Sequence, residues 1–311
     1  MKEQNFHIGP TCPMSPMGLM AIAVATALTL NSCSKESDNL ATSPSEDELI
    51  PVCVNLNGFE IQEMTRASLS EANAKYVSFA VFNEDDERVV NISQKSSDEG
   101  FGTISCKLKA GDYTFVAVAH DGDSDYGNAT ISSTSEVSLP KATVNDTFTA
   151  TKEVTVSNSM TAHQMTLTRA IAMLQVKSTD NIPESAKTLR VTIGDDSKTA
   201  YTALTLNPET GLMSGFGTTG KYVSDNTFKS DAVGYKASVS VPILMPAETA
   251  SMAVKIEVMD GDDKVVYSHD LGSVAFKQNR KTVATGKIFG SEWAETFSIT
   301  DTWDDALNIE F

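Results

Sequence analysis

The feature that most constrains this chain is a rhythm. Short runs rich in β-branched and aromatic residues return at a spacing of about ten residues, and no comparably long stretch keeps a 3.6-residue period. Tyr76 to Phe82, Gly102 to Lys109, Tyr113 to His120, Leu189 to Ile193, Tyr235 to Val241, Met252 to Met259 and Lys264 to Ser268 are such runs. Turn chemistry separates them. Lys109-Ala110-Gly111-Asp112, Asn207-Pro208-Glu209-Thr210-Gly211 and Asp260-Gly261-Asp262-Asp263 each combine glycine, which accepts positive φ, with Asp or Asn, which bonds its own backbone. Connections this short join antiparallel neighbours, so the pattern predicts an all-β chain of antiparallel sandwiches. With 311 residues, 41% of them hydrophobic, two cores can be buried. Ser157 to Gln164 is polar and a new strand-like run opens at Met165. The body is therefore expected to divide into an N-terminal sandwich at 49–164 and a C-terminal one at 165–311.

Ahead of the body lies an export signature. Met17 to Leu30 is uncharged and about 14 residues long, too short to cross a bilayer as a helix but the right size for the apolar core of a signal peptide. Leu30-Asn31-Ser32-Cys33 follows at once and resembles the bacterial lipobox. Residues 1–32 then read as a lipoprotein signal peptide, and Cys33 as the residue that carries palmitate. Residues 33–48 are polar and acidic without periodicity, the composition of a flexible tether. The net charge of −17 disfavours nucleic acid as a partner, because phosphate binding needs clustered Lys and Arg. Cys12 falls in the export segment, which leaves Cys53 and Cys106 as the pair an oxidising envelope could join; a disulfide and two separate buried strand thiols both remain open.

The motifs that suggest chemistry do not hold together. Gly215 to Gly220 matches G-x-G-x-x-G, and Lys221 follows as in a phosphate loop, but Tyr222 stands where Ser or Thr must hold magnesium and no helical pattern follows. Asp121, Asp123 and Asp125 imitate a calcium loop, yet Tyr126 replaces the glycine and Ser132 the bidentate Glu, so an acidic turn is the better reading. His120, His163 and His269 are isolated, with no second ligand at metal spacing, and read as polar surface residues. No nucleophile elbow is present. No cofactor, metal or catalytic role is expected.

Three ordered segments carry a resemblance. Leu167 to Val176 with Asn181-Ile182-Pro183, Asn279 to Phe289, and Trp303-Asp304-Asp305 near the carboxy terminus look like the fimbrillin family of Bacteroidales, the type V pilins; Lys109 to Ala117 is similar to that family's first hairpin. The resemblance implies two tandem transthyretin-like sandwiches in a surface fimbrial subunit that supports adhesion, exported to the cell outer membrane as a lipoprotein precursor. It implies cleavage by an arginine-specific protease after Arg66, leaving Ala67 first, with loss of a strand near Ile50 to Ile61. Val52, Val54, Leu56 and Phe59 would fill the groove that this strand vacates. The carboxy-terminal segment would be the donor that enters a neighbour's groove, with Phe297, Ile299, Trp303, Leu307, Ile309 and Phe311 as its contacts; last strands of the chain's own sheet would alternate in the same way. Expected partners are other fimbrial subunits, the outer membrane through Cys33, and host or bacterial surface ligands. Two rivals stay in view. One is a fimbrial anchor that keeps its lipid and first strand. The other is a glycan-binding surface lipoprotein, for which Trp293 and Trp303 are a thin aromatic supply.

Overall fold

The computed structural model describes residues 49–59, 73–157, 159, 161–214, 220–290 and 296–300. Nearly all of the regular structure among them is β-strand, with one short 3-10 turn at Ser230–Ala232. The first half contains β1 (Ile50–Phe59), β2 (Tyr76–Asn83), β3 (Arg88–Lys95), β4 (Thr103–Leu108), β5 (Gly111–His120), β6 (Thr130–Ser133), β7 (Glu136–Ser138), β8 (Thr147–Val156) and β9 (Thr161–Arg169). The second contains β10 (Ile171–Asn181), β11 (Thr188–Ile193), β12 (Thr205–Leu206), β13 (Tyr222–Thr227), β14 (Lys236–Leu244), β15 (Thr249–Met259), β16 (Val265–Lys277), β17 (Lys281–Gly286) and β18 (Thr296–Thr300).

In the first half one sheet, ordered β3-β2-β5-β8-β9-β1-β4, folds over on itself. The fold line is the β8–β9 hairpin. These strands pair only at Phe148↔Arg169 and Thr149↔Thr168; toward their connection they part, β8 staying with β5 while β9 pairs with β1. Ile50, Val52, Val54 and Leu56 meet Val77, Phe79, Phe115, Ile104, Met165 and Leu167 in the core between the layers.

β2 is buried almost throughout and β5 over its last six residues, on both faces. Phe79 and Phe115 point into the first core, while Ala80, Phe82, Val116 and Val118 point the other way, beneath the β6–β7 arm. Ser78 Oγ donates to Ala129 O (2.7 Å) at the root of that arm.

The second half is a sandwich of two four-stranded sheets, β14-β10-β17-β18 and β13-β11-β15-β16. Its turns use the expected chemistry. Asp260 Oδ1 accepts the N–H groups of Asp262 and Lys264 (3.0 Å each), and Asn207 Oδ1 accepts those of Glu209 (2.9 Å) and Thr210 (3.1 Å). Gly211 has φ +69°, and a Cβ there would stand 3.0 Å from Ala170 Cα, so this turn admits little but glycine.

The boundary expected at Gln164 falls inside β9, which belongs to the first sheet; the chain changes sheets at Ala170. A small sheet, β12-β7-β6, ties the halves together through Thr205↔Ser138 and Leu206↔Val137.

Candidate assembly site

β1 is an interior strand. It runs parallel to β9, from Val52↔Thr161 to Phe59↔Leu167, and antiparallel to β4, from Ile50↔Leu108 to Asn55↔Thr103. Both edges of its backbone are therefore paired over most of its length. Alternation sends Ile50, Val52, Val54 and Leu56 into the core, none more than 5% exposed. β1 thus occupies a slot one strand wide, floored by apolar side chains and walled by two ladders.

Cys53 and Cys106 do not form the pair their number suggested. Cys53 stands opposite Ser105 and Cys106 opposite Val52, and neighbouring positions on a ladder face opposite sides of the sheet. Cys106 is a free, half-buried thiol whose pKa burial pushes up to about 11, far from the range of a reactive thiolate.

Near the other end of the chain, β18 is the edge strand of its sheet among the described residues, beside β17, with Phe297 opposite Ala284 and Ile299 opposite Thr282. Ala284 and Thr282 are both buried. This segment pairs within its own sheet, the arrangement that the alternation had left open beside the donor role. Cys33, Arg66, Ala67, Trp303, Leu307, Ile309 and Phe311 lie outside the described residues, as do the export segment, the tether and Gly215 to Thr219.

Between the halves sits a polar cluster that sequence reading missed. Arg169 ends β9 with Nε 2.7 Å from Asp146 Oδ1 and Nη2 2.9 Å from Oδ2, its guanidinium 4.8 Å from the Phe148 ring centroid. The Asp146 N–H in turn donates to Asp121 Oδ1 (2.9 Å), and Ala170 N–H to Thr147 O (2.8 Å). Burial raises the Asp146 carboxyl to about 6 against the pull of Arg169, and raises Asp121 as well. Asp123 Oδ1 accepts the N–H groups of Asp125 and Tyr126 (3.1 and 3.0 Å), so the calcium-like stretch is a self-bonded acidic turn. His120 and His269 are interior and not surface residues, 1% and 5% exposed. His120 stacks on Tyr76 at 5.3 Å and meets Tyr126 edge-on at 5.0 Å, and burial lowers its pKa to about 4. His269 Nε2 lies 2.9 Å from Ile288 O. The only sequence hint of this burial is that His120 closes a continuous apolar run instead of an alternating one.

Residues 48–310 match the model of a family of unknown function, DUF6562. No curated protein matches the chain. Solved structures share its fold at low identity. A candidate adhesin from Bacteroides thetaiotaomicron aligns with TM-score 0.52 and 11% identity over 82% of this chain and 97% of its own. A candidate polysaccharide-binding protein of the same organism, from the DUF1812 family, gives 0.52 and 11% over 81% and 96%. A candidate adhesin from Bacteroides ovatus gives 0.50 and 14% over 82% and 97%.

Proposed function

The chain belongs to the DUF6562 family, whose function is unknown, and from that premise we propose that it is a structural subunit of a cell-surface fimbria, exported as a lipoprotein precursor and polymerised by strand exchange. The observation that carries the reading is the placement of β1. A strand at a sheet edge is held by one ladder and can be lost at little cost. β1 instead lies between β9 and β4 with four apolar side chains in the core. Cutting after Arg66 would free it together with the lipid on Cys33. It would also open a groove whose unpaired ladders and apolar floor only another strand can satisfy. The sandwich shared with Bacteroides proteins described as candidate adhesins fits a surface role in adhesion. In this reading the carboxy-terminal segment, whose β18 pairs with β17 of its own sheet, leaves that place on assembly to supply the incoming strand.

Mass spectrometry of the mature amino terminus on the cell surface tests it. Ala67 as the first residue is expected, with polymers visible as SDS-resistant ladders that vanish in Arg66→Ala and on deletion of 296–311. A lipidated Cys33 on the mature surface protein would replace the polymerising subunit with a lipid-retaining anchor.

A further inference from the structure

β10 and β17 run side by side as a parallel ladder whose last rung is Ser178↔Gly286. Two residues past that rung, the Asp180 side chain takes over from the ladder. Its Oδ1 accepts the Ile288 N–H and its Oδ2 the Phe289 N–H, at 2.9 Å each. One carboxylate thus serves two consecutive amides, and hydrogen bonds to a charged acceptor are stronger than neutral ones. The local sequence sets this geometry. Pairing of β10 with β14 is irregular between Lys177 and Asn181, and Ser178 satisfies the break. Its Oγ accepts the Ala237 N–H (2.6 Å) and donates to Asp180 O (2.7 Å), which fixes the backbone from which the carboxylate projects.

The same two residues are held from the far side. Ile288 is fully buried and its C=O lies 2.9 Å from His269 Nε2 of β16, while the Phe289 ring meets Phe228 at 5.8 Å and 64°. At Gly290 the packing ends, since a Cβ there would meet nothing within 4 Å. Beyond it β18 is held by one ladder, to β17, among the described residues. β17 is an interior strand with Thr282 and Ala284 buried, so a pull on β18 that reached it would open the sandwich. We infer that Asp180 is the positioning residue of the carboxy-terminal segment. It pins the chain at Ile288 and Phe289, so that β18 can leave while β17 keeps its ladder with β10, and the donated segment begins at Gly290. This role rests on the strand-exchange reading, because a segment that never leaves needs no fixed end.

Hydrogen exchange of the native full chain, followed residue by residue by NMR in rising sub-denaturing urea, tests it. In wild type the amides of 296–300 are expected to exchange at least about 100-fold faster than those of Ile288, Phe289 and the β17 residues bonded to β10. In Asp180→Ala the β17 amides bonded to β10 should lose that separation and exchange in step with 296–300. Asp180→Asn keeps one acceptor oxygen and should retain about a 10-fold separation. An aspartate that only added stability would shift all these rates together and leave their ratio unchanged, which overturns the assignment. Wild-type exchange of Ile288 and Phe289 in step with 296–300 overturns it too. If 296–300 exchange only when the whole molecule unfolds, the strand-exchange reading and the assignment fall together. If the separation is present and depends on Asp180, but SDS-resistant ladders survive deletion of 296–311, the donor reading falls and the pinned end stands.

Discussion

His120 and Asp146 pull stability in opposite directions as the pH falls. A histidine held near pKa 4 instead of 6.5 favours the folded state above pH 6.5, and that contribution is lost as pH falls toward 4. An aspartate held near 6 instead of 3.8 contributes stability that is full below 3.8 and lost as pH rises through 6. Each displacement of two units or so corresponds to about 3 kcal/mol, so between pH 7 and 4.5 the two should largely offset each other. Removing one exposes the other. Asp146→Asn should lose about 2 kcal/mol more than wild type between pH 7 and 4.5, and His120→Phe should lose about 2 kcal/mol less, both read from urea midpoints at the two pH values. Parallel slopes in the three proteins would remove the argument. Neither residue was legible from sequence, because what buries His120 is Tyr76 on β2 and what answers Asp146 is Arg169 at the end of β9. Propensity and spacing do not encode such pairings.

At the scale of strands, sequence and structure meet where a run is apolar or alternates cleanly. Tyr76 to Phe82 became β2, Gly102 to Lys109 became β4, Leu189 to Ile193 became β11 and Met252 to Met259 became β15, each within a few residues at its ends. The strands that escaped notice are polar or very short. β9 begins at Thr161 inside the stretch read as a break, since its Thr, His and Gln are held by ladders with β1 and not by their own preference. β6, β7 and β12 owe their existence to each other. β1 was legible as a strand, but its interior position was not, since a parallel partner more than a hundred residues away leaves no local mark. That position makes a prediction. Val54 is fully buried between Ile104 of β4 and His163 of β9, so Val54→Asp should cost about 3 kcal/mol or more, whereas Asn55→Ser on the outward face should cost under about 0.5 kcal/mol. Denaturant titration of the two variants decides it, and equal effects would mean that β1 is not seated in the core.

Across the whole molecule the two halves share one apolar cluster. Inter-domain linkers are ordinarily exposed and poor in contacts. Here the crossing residue, Ala170, is buried, and Gln278 Nε2 donates to Thr210 O (2.8 Å) beside it. The apolar cluster of the second sandwich also continues without a break through Leu204, Leu206, Val137 and Ile131 to Phe82 and Val118 of the first. The division at Gln164 rested on a polar stretch and on the strand-like run at Met165, and both run into β9, while the chain changes sheets at buried Ala170. Leu206 is fully buried where β12 meets β7, so it reports on this union. Leu206→Asp would place a charge among aliphatic side chains where the cluster crosses the junction, while leaving the separate core around β1 untouched. Wild type should unfold in a single cooperative step, because neither half can expose its share of the common cluster without cost to the other. In Leu206→Asp the calorimetric trace should separate into two transitions, with the calorimetric enthalpy exceeding the van't Hoff value. If the wild type already shows two transitions, the halves are independent domains in contact, and the arm from β6 to β7 is a surface loop with no part in joining them.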